Sequence, residues 1–432
     1  MRFPHRGCRR RASSSAPQTN NNTGNCKTSH LLLETDSFFE SQLRRTTGQR
    51  MNRVNSNRRF FAAVATISAC LLLPSGAAAA PDLAFIAKAH DPQGVAHDRL
   101  YTFDPASGAF KHLFVSGHRF LGLQNFAWQP NGETIAFVST VAVSGNGTAT
   151  APRAELWTVR RSGGGLRRLA RSETIGTPVF SPDGKRIVVV AAFKRRSGAG
   201  CARGGHAVAV VSVARPSLRR ISACFSSRLA MSRVAFIGNN RSVAAVPDRR
   251  RLVRFAVSGA HRAKRRPPVI HQATVGDRIA IGAYLPGTRS FWLHFDTGDT
   301  ALLSSGARRA TLLPGDTFDV APSGRTAVGN CAALPERGLC GLSLRTRKRT
   351  RISSPFEPDL SRNSLEFGFS YDDRSRRIVS FGHPAFGLDG LPSSTRICVR
   401  STLTAPPGCH DLPAGHSVAD ENTGVALWRP AT

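Results

Sequence analysis

Signature motifs of catalysis are scarce in this chain of 432 residues. No Gly-x-Ser-x-Gly elbow occurs; the nearest miss, Gly368-Phe369-Ser370-Tyr371-Asp372, lies inside a repeat, which argues against a serine hydrolase with an α/β-hydrolase domain. No His-Glu-x-x-His and no Asp-x-Asp-x-Asp calcium loop is present, and the nine cysteines lack zinc spacing. No metal and no cofactor is therefore expected. Aromatics are only 7% of residues and do not interleave with the basic runs, which leaves no base-stacking platform and excludes nucleic acid as a partner. Acidic residues are short as well, 27 against 60 Lys plus Arg, for a net charge of +33. Apolar content of 41% is still enough for a packed core, so disorder throughout is excluded.

The first 50 residues are rich in Asn, Ser, Thr and Arg and show no sustained apolar period. Met51 opens a different segment. A basic stretch ending in Arg58-Arg59 leads into the apolar run Phe60 to Leu73, and Pro74, Ser75 and Gly76 precede Ala77 to Ala80. A basic n-region, a short apolar h-region and a small-residue cleavage site make a secretory signal peptide. The run is too short to span a bilayer comfortably. The organisation read from this is an upstream extension over 1–50, a signal peptide over 51–80 and the folded domain over 81–432. A minority alternative is a lipobox at Ile67-Ser68-Ala69-Cys70, but Leu71-Leu72-Leu73 follow the cysteine where polar residues are usual. The location expected is extracytoplasmic: secreted, periplasmic or cell-wall associated. The mature chain carries no transmembrane segment and is expected to be monomeric. From Pro81 onward 48 basic residues face 24 acidic ones, a net of +24, and only six of the basic residues are lysine. So large an excess of arginine is most simply codon bias.

Six cysteines follow the cleavage site: Cys201, Cys224, Cys331, Cys340, Cys398 and Cys409. An even count in an exported chain points to disulfides. They cluster as three local pairs, and all three sequence separations are odd, as for residues opposed across a hairpin with an even loop. Opposed residues lie about 4.5–5.5 Å apart at Cα, within disulfide reach.

The chain also repeats itself. Phe126-Ala127-Trp128-Gln129-Pro130-Asn131-Gly132 runs into the apolar stretch ending at Val138, and Phe180-Ser181-Pro182-Asp183-Gly184-Lys185 runs into Ile187 to Val190. Each reads as a strand, a tight turn and a second strand: proline presets the first turn dihedral and glycine accepts positive φ. Weaker copies centre on Phe236, on Ile279 to Ile281 (read as a second strand), on Phe318 to Arg325, on Phe369 to Val379 and on Val418 to Trp428. Between them lie seven third strands: Leu100–Asp104, Leu156–Val159, Val208–Val211, Leu252–Phe255, Phe291–Asp296, Gly341–Leu344 and Arg396–Val399. No long segment of 3.6-residue period intervenes. Units of about 50 residues match four-stranded propeller blades.

The Phe-Ser-Pro-Asp-Gly-Lys unit at 180–185 resembles the WD-like repeat of TolB-type β-propellers, and Trp128 to Gly132 fits the same pattern. The resemblance implies an all-β propeller over 81–432, seven-bladed with six or eight as alternatives, and a habit of binding partners. It brings no catalytic residues. Leu83 to Ala87 looks like a second strand whose missing first strand comes from 416–428. Within this frame Cys331–Cys340 joins the second and third strands of blade 6, Cys398–Cys409 the third and fourth of blade 7, and Cys201–Cys224 braces blade 3.

Arginines alternate in Arg345-Thr346-Arg347-Lys348-Arg349-Thr350-Arg351, which on an outer strand puts Arg345, Arg347, Arg349 and Arg351 on one face. Such a face would contact an anionic surface; Arg249 to Arg251 and Lys264 to Arg266 are further basic runs. The 13 histidines, among them His90, His97, His410 and His416, are spaced too loosely to specify a site. Function is accordingly expected to be that of a non-catalytic envelope scaffold, no enzyme, binding an envelope protein or an anionic cell-wall polymer. The alternative is a propeller enzyme, a lyase or glycosidase acting on envelope polysaccharide, which converging acidic, histidine and tyrosine side chains would mark.

Overall fold

A computed structural model describes residues 83–90, 96–115, 122–145, 148–193, 201, 205–225, 234–258, 268–273, 278–307, 309–313, 317–331, 339–352, 366–372, 374, 376–382, 385–386, 392–419 and 427–430. The signal-peptide and lipobox readings fall outside the described residues, as do Lys264 to Arg266. The chain from 83 onward is a β-propeller of seven antiparallel blades. Blades 2 to 7 take their four strands in sequence order, from inside to outside. Blade 2, for example, runs Gly122–Trp128, Thr134–Gly145, Thr148–Arg160 and Arg167–Ser172.

Blade 1 closes the ring. Its second, third and fourth strands are Leu83–His90, Ala96–Asp104 and Ala109–Val115. Its innermost strand comes from the far end of the chain, as His416–Ala419 and Leu427–Trp428. Leu83 pairs with Trp428, Ala84 with Leu427, Lys88 with Ser417 and Ala89 with His416. Closure removes the open edge that would otherwise invite pairing with another chain.

Seven apolar clusters hold the ring, one at each blade-to-blade interface. Successive residues of a strand therefore serve different interfaces. Ile135 and Phe137 pack toward blade 1, whereas Ala136 and Val138 pack toward blade 3. That is why second strands such as Arg186–Ala192 read as continuous apolar runs: both faces are buried. The cluster joining blade 7 to blade 1 holds Leu83 and Trp428 together. Burying a side chain such as Phe85, Phe103 or Phe381, each with no exposure, contributes about 1.5–3 kcal/mol.

Blade 5 corrects the sequence-based phase. Ile279–Leu285 is its first strand, not a second one, and Ser290–Phe295 is its second strand, not a third. The turn between them is Pro286-Gly287-Thr288-Arg289, in which Arg289 carries a positive φ of 51° in place of a glycine. Four innermost strands break register against their neighbours: at Asn125 in blade 2, Gly282 in blade 5, Phe318 in blade 6 and between Phe367 and Ser370 in blade 7. Each such bulge bends the strand and increases its twist. Asn125 has a φ of 41°, and Gly282 leaves room where a Cβ would lie 2.6 Å from His294 Nε2.

Three disulfides are formed, Cys201–Cys224, Cys331–Cys340 and Cys398–Cys409, with Cα separations of 5.5, 5.1 and 4.1 Å. Only Cys398 and Cys409 are register partners across a hairpin. Cys340 opposes Gly329 rather than Cys331, and Cys201 lies outside any strand, so direct opposition across a hairpin holds for one bridge and not for the other two, although all three separations are odd.

Candidate functional site

The two ends of the ring differ in chemistry. At one end, short turns join the first and second strands of blades 2 to 7, and several of these turns touch from blade to blade. Gln129 Nε2 donates to the Gly184 carbonyl at 3.0 Å, the Asp183 N–H to Asn240 Oδ1 at 3.0 Å, and the Gly287 N–H to the Pro322 carbonyl at 3.3 Å. Gly184 has a φ of 67°, and a Cβ there would lie 2.9 Å from Gln129 Nε2. Burial is the largest single influence on the Asp183 carboxyl and raises it, but the Ser181 hydroxyl, the Lys185 N–H and the charges of Arg186 and Lys185 together outweigh it and hold the group below its ordinary range. Asp372 is buried in the same role in blade 7, accepting from Arg377 Nε at 3.2 Å, while Arg377 lies over the Trp428 ring at 4.2 Å. The carboxylates at this end tie turns together.

The opposite end carries the connections between second and third strands. Here blade 7 inserts a hairpin, Ala385–Phe386 and Pro392–Ser394, that pairs with the free inner edge of His416–Ala419. The same segment also pairs with Leu83–His90 on its other side, which pairs in turn with Ala96–Asp104. Three strands therefore align two adjacent rungs: His416, Ala89 and His97 on one, Ser417, Lys88 and Asp98 on the next.

Asp98 sits half-buried on the side of blade 2, where its Oδ2 accepts the Leu123 N–H at 2.8 Å. Burial raises its pKa above the ordinary carboxylate value, and the Leu123 N–H and the charges of Lys88 and His97 offset this only in part. Gly122 lets the carboxylate approach, since a Cβ there would lie 3.1 Å from Oδ2. His416, also half-buried, faces two carbonyls through Nδ1, Pro413 at 3.0 Å and Ala414 at 2.9 Å. Both partners only accept, so Nδ1 carries a proton, and Nε2 meets the Tyr101 hydroxyl at 2.7 Å, as its acceptor when the ring is neutral. Tyr101 is stacked on Phe85 at 5.6 Å and lies edge-on to the His416 ring at 5.4 Å. Side chains on adjacent rungs point to opposite faces, so Asp98 and Lys88 face blade 2, whereas His416 and Tyr101 face blade 7.

Other polar groups at this end are bound within single blades or seams. Glu155, 3% exposed, is held by Arg168 at 3.0 Å and Arg171 at 3.4 Å. His206 Nε2 meets the Thr174 hydroxyl at 2.6 Å. Among the described residues no cluster of three or more His, Cys, Asp or Glu could hold a metal ion, and no helix is long and apolar enough to cross a membrane.

The arginine run is corrected by its geometry. Only Arg349 and Arg351 stand on the outer strand of blade 6; Arg345 and Arg347 belong to the preceding turn, where Arg347 has a φ of 58° and its N–H bonds the Ser343 carbonyl. The four side chains do not share one strand face. Sequence reasoning set aside His97 and His416 and did not single out Asp98, Tyr101 or Lys88. The signal that could have found them was the closure itself: pairing 416–428 with 83–87 already brings His416 beside this margin.

No protein-family model matches the chain, and no curated sequence does. Solved structures that resemble it are propellers. The periplasmic gluconolactonase of Pseudomonas aeruginosa is 14% identical with a TM-score of 0.48, over 80% of this chain and 99% of its own. TolB from Acinetobacter baumannii is 13% identical with a TM-score of 0.41, over 81% and 67%. The acylaminoacyl peptidase of Pyrococcus horikoshii is 10% identical with a TM-score of 0.47, over 74% and 49%, so the match spans about half of that enzyme. Enzymes stand among these propellers, which corrects the reading of this chain as a non-catalytic scaffold and as no enzyme.

Proposed function

We propose that the chain is an exported enzyme working by general acid–base chemistry on an anionic, sugar-derived polymer of the bacterial cell envelope. The observation that carries this reading is Asp98, a half-buried carboxyl whose pKa burial raises, beside Lys88 at the margin of blade 1. Asp98 would donate its proton to a leaving oxygen. Lys88, on the same rung and face as Asp98, would meet developing negative charge, and His416 with Tyr101, on the opposite face, would hold the closing strand beside them. Groups of this kind, positioned at a bond, contribute about 10²–10⁴-fold each to rate. A second carboxylate at glycosidase spacing is not part of the described cluster, which weighs against hydrolysis by paired carboxylates.

Export supports the substrate class. The Met51 signal pattern, cleavage near Ala79 or Ala80, and three disulfides suit the oxidising side of a membrane. Arg249 to Arg251, at the same end of the ring in blade 4, and the +24 charge of the mature chain would draw an anionic polymer.

The test is an activity screen of the mature chain against acidic polysaccharides, with sugar lactones as a separate arm. Product is followed by mass and by unsaturated-sugar absorbance. The expected result is turnover of a polysaccharide that falls at least about 100-fold in Asp98→Asn and far less in His416→Gln. Turnover of lactones alone would replace the substrate class. Turnover untouched by Asp98→Asn would remove the site.

A further inference from the structure

Two of the three disulfides are tied to the strand ladders and at least half-buried: Cys331, just past the second strand of blade 6, joins Cys340 in the third, and Cys398 and Cys409 are opposed in blade 7. The third is built differently. Cys201 is 1% exposed, whereas its partner Cys224 is exposed and follows the fourth strand of blade 3, Leu218–Arg220. Arg220 directs Nη1 at both sulfurs, 3.1 Å from Cys224 Sγ and 3.9 Å from Cys201 Sγ. A guanidinium stays protonated at any accessible pH, so a fixed positive charge lies against this sulfur pair.

From this arrangement we infer that Cys201–Cys224 is a thiol-exchange site, at which an external dithiol reductant attacks Cys224 and Arg220 stabilises the sulfur anions that leave. Attack needs access, and Cys224 supplies it. In the first step a thiolate of the dithiol forms a bond to Cys224 Sγ. The Cys201–Cys224 bond breaks, and its electron pair goes to Cys201 Sγ, which leaves as a thiolate facing Arg220. In the second step the other thiolate of the dithiol attacks its own half of the mixed disulfide, and Cys224 leaves as a thiolate 3.1 Å from the same guanidinium. The dithiol is oxidised to its disulfide, two electrons pass to the protein, and both cysteines end reduced. Leaving sulfurs of lower pKa depart faster, and a neighbouring cation lowers the pKa of a thiol. Cys201 is buried, and the Arg220 guanidinium is the charge placed against the anion that the first step leaves there.

The experiment is time-resolved alkylation and peptide mapping of the folded chain under dithiothreitol. The other two bridges serve as internal references for unfolding. Cys201 and Cys224 are expected to become labelled well before the four remaining cysteines. Arg220→Gln should slow their reduction about 3- to 10-fold and Arg220→Lys much less, with the reference bridges unchanged. In the wild-type chain, 1 M salt, at which the screening length is about 3 Å, should move the rate toward that of the glutamine variant. Salt gives a reading even if the variant fails to fold. Equal reduction rates at all three bridges, or a Cys201–Cys224 rate indifferent to both salt and Arg220, would overturn the inference.

Discussion

Asp98 shows how a single residue can be costly to the fold and useful to the site. Its carboxyl titrates higher in the folded chain than in the unfolded one because burial disfavours the charge. The native state therefore holds its proton longer, and stability is highest below the unfolded value and declines as pH rises through the raised folded value. Asparagine keeps an oxygen for the Leu123 N–H and carries no charge. Asp98→Asn is thus expected to flatten that decline, measured by denaturant unfolding from pH 4 to pH 8, while removing activity. A stability profile for the variant that still falls with pH like the wild type would contradict the burial account. Lys88 and His97, which face Asp98, pull in the opposite direction, so Lys88→Met should raise the carboxyl further and shift the alkaline limb of activity to higher pH.

At the scale of elements, tight turns were the most legible features, because proline and glycine leave direct marks. Trp128 to Gly132 and Phe180 to Gly184 locate their hairpins correctly, and both glycines have positive φ. Blade 5 was mis-phased because its turn at Pro286 to Arg289 follows a longer first strand and puts an arginine, not a glycine, at a positive φ. The bulges of the innermost strands leave no compositional signature, since Asn125, Gly282 and Phe318 share no chemistry. Gly324 offers a direct check on a turn: its φ is 65°, and a Cβ would fall 2.3 Å from Thr288 Oγ1 in the neighbouring blade. Gly324→Ala should destabilise by about 1–2 kcal/mol, read as a lower unfolding midpoint, with Thr288→Ala recovering only the part due to contact. Cys398→Ala with Cys409→Ala should cost about 2–4 kcal/mol and loosen blade 7 first, which hydrogen exchange would locate in Arg396–Arg400 and Gly408–Asp411.

For the whole molecule, the ring depends on one return of the chain. Trp428 occupies the seam between blades 7 and 1, donating Nε1 to the Ser370 carbonyl at 3.0 Å under the Arg377 guanidinium. On the other side, Trp128 Nε1 donates to the Leu427 carbonyl at 2.9 Å. Trp428→Ala should cost about 3–5 kcal/mol. The same return brings His416 to Tyr101, 315 residues away in sequence. Such a site is invisible to motif reading, because its members are adjacent only after closure; propeller class, blade number and closing segment were legible, while the chemistry at the closure was not. The most direct measurement is a cysteine pair at Ala84→Cys and Leu427→Cys, whose positions are register partners in the closing ladder. Opposed strand positions lie about 4.5–5.5 Å apart at Cα, within disulfide reach. Peptide mapping of the oxidised folded variant should recover a bridge between residues 84 and 427. Persistent free thiols at both positions in a chain that unfolds like the wild type would contradict the closed ring.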